Sequence, residues 1–204
     1  MSAPRPDVRD LGAGDRPVVD TVLAAALGDD EGPTIVRLVD RLRATDAMRA
    51  ELVAVEDDEV VGHVALSRSW LDTRRALVEV LVLSPLSVRP DRQGSGVGTT
   101  LLAAAVGRAE ALGSPAVFLE GAPDYYAARG WRPARDHGFE APSSRIPGPA
   151  FQVVLLPGRE EWMTGRLVYA EAFWALDSVG LRDPFLAEVE AALGVDGVGE
   201  QTTP

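Results

Sequence analysis

Apolar positions recur along this chain with two different periods, and the switching between them sets the order of elements. Residues around Val8 to Leu11 read as a short strand. Val18, Val19, Val22, Leu23, Ala26 and Leu27 then recur at helical spacing behind Asp15, a good N-cap type, with Pro17 in the first turn and Gly28 as the stop. Ile35, Leu38, Val39 and Leu42 repeat the helical period over Thr34 to Thr45, with Arg37, Asp40, Arg41 and Arg43 mostly on the other face. The acidic link from Asp29 to Gly32 therefore reads as a loop between two helices. Glu51 to Glu56 and Val60 to Ser67 form a hairpin across Asp57-Asp58-Glu59, and Trp70 to Arg75 turns the chain into an apolar strand from Leu77 to Val88.

A glycine-rich loop leads from that strand into a helix over Thr99 to Leu112, whose buried side carries Leu101, Leu102, Ala105, Val106, Ala109 and Leu112, with Gly113 as its stop. Pro115 to Leu119 is a short apolar strand, parallel to the preceding one if the crossover is right-handed. Trp131 to Ala134 and Phe151 to Leu156 read as further strands, separated by a polar, proline-rich segment from Arg135 to Pro149 without evident structure. A strand near Arg166 to Tyr169 and a helix opened by Asp183 and Pro184, with Phe185, Leu186, Val189 and Leu193 on one side, close the pattern. The expected organisation is a core over residues 1–157, an extension of strand and short helix over 158–193 packed on it, and a disordered tail over 194–204.

Composition narrows the chemistry. The 204 residues contain no cysteine, which removes disulfides, thiolate metal sites and cysteine nucleophiles. All twenty basic residues are arginines, so lysine Schiff-base chemistry is excluded, and the cations serve as anchors rather than bases. Two histidines, His63 and His137, are too few for a histidine-rich metal centre, and His63, inside an apolar strand, reads as structural. A formal net charge of −11 disfavours nucleic acid and anionic membranes as partners. With no long apolar run and no signal-type N-terminus, the expected location is cytoplasmic.

The stretch from Arg89 to Thr99 carries the ligand signal. Gly94, Gly96 and Gly98 stand at alternate positions between a strand and a helix, an arrangement that brings backbone N–H groups and the helix's positive end to one point, where an anion binds. A dinucleotide fingerprint fails because Thr99 stands at its third glycine, and a Walker loop fails for want of lysine. Gln93-Gly94-Ser95-Gly96-Val97-Gly98 resembles the pyrophosphate loop of the GNAT superfamily of acyl-CoA-dependent N-acetyltransferases. About thirty residues on, Gly121 to Trp131 resembles that family's short helix with an aromatic pair ending in glycine and phenylalanine, here Gly130-Trp131. Gly165-Arg166, the alternating strand that follows, and Ala170 to Trp174 resemble the tail of a bacterial subgroup of small predicted acetyltransferases of that family.

The resemblance implies an α+β GNAT fold: a mixed, mostly antiparallel twisted sheet flanked by helices, with a βαβ acyl-CoA unit. It implies acetyl-CoA as cosubstrate, no metal, and an amine acceptor whose identity the sequence leaves open, with a homodimer equally open. Leu86, Ser87 and Val88 would run beside the pantetheine arm. Gln93, Gly94, Ser95, Gly96, Val97, Gly98 and Thr99 would hold the pyrophosphate, helped by Arg89 and Arg92. Pro85, which has no N–H, fits a break in pairing at the thioester, and the oxyanion donor would be a main-chain N–H near Leu86. Tyr126 falls where the family keeps a tyrosine that protonates the thiolate; Tyr125 reads as packing. For a base, Glu79 and Glu120 are both candidates, and an amine arriving neutral needs neither. The opposing functional class is an acyl-CoA-binding sensor without turnover, and the acyl length of the donor is open.

Overall fold

The computed structural model describes residues 6–195. A first strand, β1 (Asp7–Asp10), lies antiparallel on β2 (Met48–Glu56), which pairs with β3 (Glu59–Thr73), and β3 pairs with β4 (Leu77–Val88). The β2–β3 hairpin closes through Asp57 and Asp58, both at positive φ (50° and 63°), as a tight two-residue hairpin turn requires. Strand β3 is longer than the hydrophobic pattern suggests: Trp70 to Thr73 continue it instead of turning, and the reversal falls at residues 74–76, where Thr73 Oγ1 accepts from the N–H groups of Arg75 and Ala76.

Between β1 and β2 the chain forms α1 (Arg16–Ala44), one helical run broken only at Gly28 (φ 76°, ψ −178°). The link at residues 29–32 is therefore helical rather than a loop. The physical reason lies in its residue types: Asp29, Asp30 and Glu31 open the second half, where carboxylates complement a helix N-terminus, and Pro33 falls within its first turns. The kink folds the halves together, and a Cβ on Gly32 would sit 2.9 Å from the Ala24 Cα. At the N-cap, Asp15 makes no capping bond; its carboxylate accepts from Gly12 N–H (2.7 Å) and from Arg9.

After β4, α2 (Val97–Ala111) crosses over to β5 (Ala116–Glu120), parallel to β4, and β8 (Phe151–Leu155) lies antiparallel on β5. The strand expected at Trp131 to Ala134 shrinks to β6 (Arg132–Pro133), and the segment up to Pro149 is structured after all. It holds two 3-10 turns and β7 (Phe139–Glu140), which pairs with β9 (Gly165–Val168). Strand β9 takes the edge of β3 at Trp70 to Thr73, beyond the point where β2 stops, so the sheet recruits the C-terminal part of the chain. The described residues thus form one mixed, mostly antiparallel open sheet with helices on both faces. The last elements are α4 (Glu171–Ala175) and α5 (Phe185–Leu193); the expected tail lies, from residue 196 on, outside the described residues.

Alternation along β4 divides the core. Val80 and Val82 face a cluster with Leu38 and Leu42 of α1 and with Leu167, Tyr169 and Phe173 of the C-terminal part. Leu81 and Leu83 face α2, through Leu101, Leu102, Ala105 and Ala109. Gly62 on β3 lets α2 pack close: a Cβ there would lie 2.9 Å from the Leu101 side chain. A buried polar knot ties α1 to the hairpin. His63, fully buried, donates to Glu51 Oε1 (3.0 Å), and Arg43 grips the same carboxylate (2.8 Å). Burial alone would raise the Glu51 carboxyl, but the bonds from His63 and Arg43 outweigh it and hold it at about 2.

Candidate active site

The sheet opens where β4 and β5 part. Their parallel pairing is limited to Leu81 with Val117 and Val82 with Phe118, after which the strands diverge. On the other side of β4 the register slips: Leu66 faces Leu83 but Val64 faces Leu86, so Ser84 and Pro85 bulge against one residue of β3. Pro85 has no N–H with which to continue a ladder, and the break falls where the sequence places it.

Two clefts meet at this opening. The smaller, about 470 Å3, is the glycine-loop side, lined by Leu86, Val88, Arg92, Gln93, Gly94, Gly96, Gly98, Thr99, Tyr125, Tyr126 and Arg129. Gly94 (φ 74°) and Gly96 (φ 99°) adopt left-handed conformations that favour glycine, with open space where a Cβ would project. The first bond inside α2 runs from Thr100 N–H to Gly96 O (3.0 Å), and no side chain caps the helix. The N–H groups of Val97, Gly98 and Thr99 therefore point out of its positive end toward the cleft. Gln93 braces the loop by donating from Nε2 to Val88 O (3.1 Å), and Ser95 Oγ donates to Arg92 O (2.6 Å). This is a cradle of the right chemistry for a pyrophosphate.

Not every expected residue reaches the cleft. Ser87 is buried on the opposite face from Leu86 and Val88, as strand alternation demands, and Val97 packs into the core with α2. Arg89 is turned away, held by Asp91 (2.7 Å) and Glu59 (2.9 Å). Arg92 lines the cleft but is shared with Glu56 and Asp91. The cation that serves the loop is one that sequence reasoning missed, Arg129. It stacks on the Tyr125 ring at 3.7 Å and donates from Nε to Thr99 Oγ1 (2.9 Å). Its spacing of four from Tyr125 on a helical segment was the available signal. Tyr125 likewise belongs to the cleft, its hydroxyl lying over Gly98, where a Cβ would come within 2.6 Å of it.

The larger cleft, about 900 Å3, lies on the other side of the opening, between the kink of α1, the β5 end and the C-terminal part. It shares Leu86 and Tyr126 with the first. Tyr126, on α3 (Pro123–Ala127), is held edge-on by Tyr125 (5.0 Å) and Trp131 (6.0 Å), and its ring lies on Gly121. Burial first, and the neighbouring Tyr125 second, push its phenol up to about 12 against the pull of Arg129, so it stays protonated at neutral pH. Trp131 is a buried wall for this ring.

The two carboxylate candidates separate clearly. Glu79 lines neither cleft; it sits near the start of β4, bound to Arg49 (2.9 Å), about 20 Å along the strand from Pro85. The length of β4 puts it out of reach. Glu120, at the end of β5, lines the larger cleft, and burial raises its carboxyl above the usual range despite the Tyr169 phenol beside it, the Gly180 N–H (3.0 Å to Oε2) and nearby Arg145.

Sheet topology, glycine cradle and the opening at β4 define a class, an α+β protein with a glycine-rich anion cradle beside a parting of two parallel strands. Comparison with known proteins gives the family. Residues 24–139 match the model of the acetyltransferase (GNAT) family, and the chain belongs to that family. The chain is 26% identical to the GNAT family N-acetyltransferase YhbS from Escherichia coli, solved in complex with CoA (TM-score 0.73, covering 84% of this chain and 93% of that one). It is 27% identical to a GNAT family acetyltransferase from Brucella melitensis solved in complex with acetyl-CoA (TM-score 0.65; 82% and 97%). A curated relative, the uncharacterized N-acetyltransferase YjhQ of Escherichia coli strain K12, is 33% identical over 92 residues, or 45% of this chain, and the match spans about half (51%) of that relative's length. No helix among the described residues is long and apolar enough to cross a membrane.

Proposed function

We propose that this protein is an N-acetyltransferase that moves an acetyl group from acetyl-CoA to a primary amine by direct attack in a ternary complex. The observation that carries the proposal is the meeting of the glycine-loop cleft and the larger cleft at one opening, with Leu86 and Tyr126 on the boundary. The pyrophosphate lies on the loop from Gln93 to Thr99 and at Arg129, the pantetheine arm follows Leu86 and Val88, and the thioester reaches the parting of β4 and β5. The acceptor enters from the larger cleft.

The amine nitrogen attacks the thioester carbonyl carbon, and a main-chain N–H near Leu86 bonds the oxygen on which charge gathers. Glu120, ionised, takes the amine proton directly or through water. Its raised proton affinity suits that task better than an ordinary surface carboxylate would. As the C–S bond breaks, Tyr126 O–H gives its proton to the departing thiolate and is reprotonated from solvent. A chain without cysteine offers no thiol for an acyl-enzyme, which favours direct transfer.

Initial-rate kinetics on the purified chain, with acetyl-CoA and a broad amine panel, test this reading. Tyr126→Phe should lower kcat by about 10²-fold with CoA binding retained. An acetylated protein competent for turnover would overturn direct transfer. CoA binding with no transfer to any amine would make the chain an acyl-CoA-binding module instead.

A further inference from the structure

The larger cleft has a charge pattern that selects among amines. Its walls are largely apolar, with Leu27 and Ile35 from α1, Leu83 from β4, Ile146 before β8, and Val189 and Leu193 from α5. All its ionisable side chains apart from the Tyr126 phenol are carboxylates: Asp30, Glu31, Glu120 and Asp177. Among the described residues no arginine lines it, although the glycine-loop cleft next door has two, Arg92 and Arg129.

The four carboxylates are not equivalent. Asp177 is compensated by Arg145 (3.3 Å) and Arg182. Glu120, at the end of β5, is half-buried, bonded by Gly180 N–H and close to Tyr169. Asp30 and Glu31 are exposed on the first turn beyond the α1 kink, and among the described residues neither takes part in an ion pair. The cleft therefore has an acid in Glu120, apolar walls, and at Asp30 and Glu31 exposed carboxylates that no arginine pairs among the described residues.

We infer that the acceptor is an amphipathic diamine: a primary amine that reacts beside Glu120, an apolar body against the walls, and a second cationic group held by Asp30 and Glu31. This rests on the transferase reading above and names the substrate class of the same site. A free carboxylate in place of the second cation is disfavoured, because it would meet like charges and no lining cation. A cleft of about 900 Å3 is also roomy for a short diamine, so a body of several methylenes or a ring fills it better.

The test compares octylamine, diaminooctane and aminooctanoate, equal in length and different only at the far end, on the full chain with acetyl-CoA. The expected kcat/KM for the diamine is about tenfold above the monoamine at low salt, from two screened charge pairs, and further above the amino acid. In the double variant Asp30→Asn, Glu31→Gln the ratio of diamine to monoamine should fall toward one, whereas in the parent it should shrink with added salt. Titration calorimetry of the same three compounds into CoA-saturated protein reads the preference without turnover. A diamine that binds selectively but is not acetylated keeps the diamine as the ligand of this cleft and counts against the transferase reading. Transfer to all three at equal kcat/KM, transfer best to aminooctanoate, or transfer to a lysine-containing peptide at a higher kcat/KM than the diamine would overturn the inference and leave the transferase reading standing.

Discussion

Gly121→Ala tests whether the position of the Tyr126 ring, and not only its hydroxyl, matters. Gly121 follows β5 with ordinary backbone angles, so alanine costs nothing in strain, but its Cβ would lie 2.3 Å from Cε2 of Tyr126 and 3.0 Å from Cδ2. Ordinary contact begins near 3.4 Å, so the ring has to retreat by about 1 Å. It cannot do so freely, because Tyr125 and Trp131 stand edge-on to it. A displacement of that size at a proton donor lowers kcat by about 10²-fold, comparable with removing the hydroxyl. Overpacking costs about 1–3 kcal/mol, or a melting temperature lower by roughly 3–10 °C in a chain of this length, so the variant still folds. The assay is kcat on the best amine acceptor, with calorimetric CoA affinity as the control; affinity should change by less than about threefold, because the glycine loop and Arg129 stay in place and only Tyr126, at the boundary of the two clefts, moves. A Gly121→Ala enzyme with parental kcat, while Tyr126→Phe is crippled, would refute the geometric reasoning. If both retained full kcat, Tyr126 would have no part in the reaction.

Further outcomes follow from other residues. Arg129→Gln should weaken CoA about tenfold and flatten the salt dependence of binding, whereas Arg89→Gln should leave both nearly unchanged because that side chain faces Glu59 and Asp91; calorimetry at two salt concentrations separates them. In the proposed mechanism Glu120 acts ionised, and burial raises its carboxyl, so kcat should climb with pH on a limb shifted upward from that of an ordinary carboxylate, with no fall from Tyr126 until about 12. Glu120→Gln should abolish that limb. Glu51, held at about 2 in the fold against an ordinary 4.5, contributes stability that is complete above the unfolded value and disappears as pH falls from there through about 2. Glu51→Gln should cost about 3 kcal/mol at neutral pH and flatten the acid side of a plot of melting temperature against pH.

Most of the donor side was legible in the sequence because it is local. The strand, the glycine loop and α2 follow one another, and the glycines' backbone requirements do not depend on distant residues. Side-chain direction was less legible. Leu86 and Val88 face the cleft and Ser87 does not, a parity that strand alternation fixes only once the buried face is known. Arg89 and Arg92 looked like phosphate ligands, yet carboxylates of the β2–β3 hairpin, far away in sequence, had claims on both. Arg129 went unnoticed because its partner, Thr99, is thirty residues away. The acidic link after Gly28 reads as a loop from composition, but placing carboxylates on a free helix N-terminus makes the same residues helical. Glu79 against Glu120 was undecidable from spacing, since strand length and the point of parting are tertiary facts.

The way the two clefts are assembled from the chain bears on how such a protein changes its substrate. The glycine-loop cleft is built within residues 86–129, wholly inside the 24–139 family match. The larger cleft borrows its far walls from residues 27–35, 146–150 and 176–193, the last two beyond that match. Strand β9 fastens the C-terminal contribution to β3 at a sheet edge distant from the glycine loop. On the proposed reading, substitutions in these far walls therefore leave the glycine loop untouched, and a change of acceptor specificity need not alter how acetyl-CoA is held.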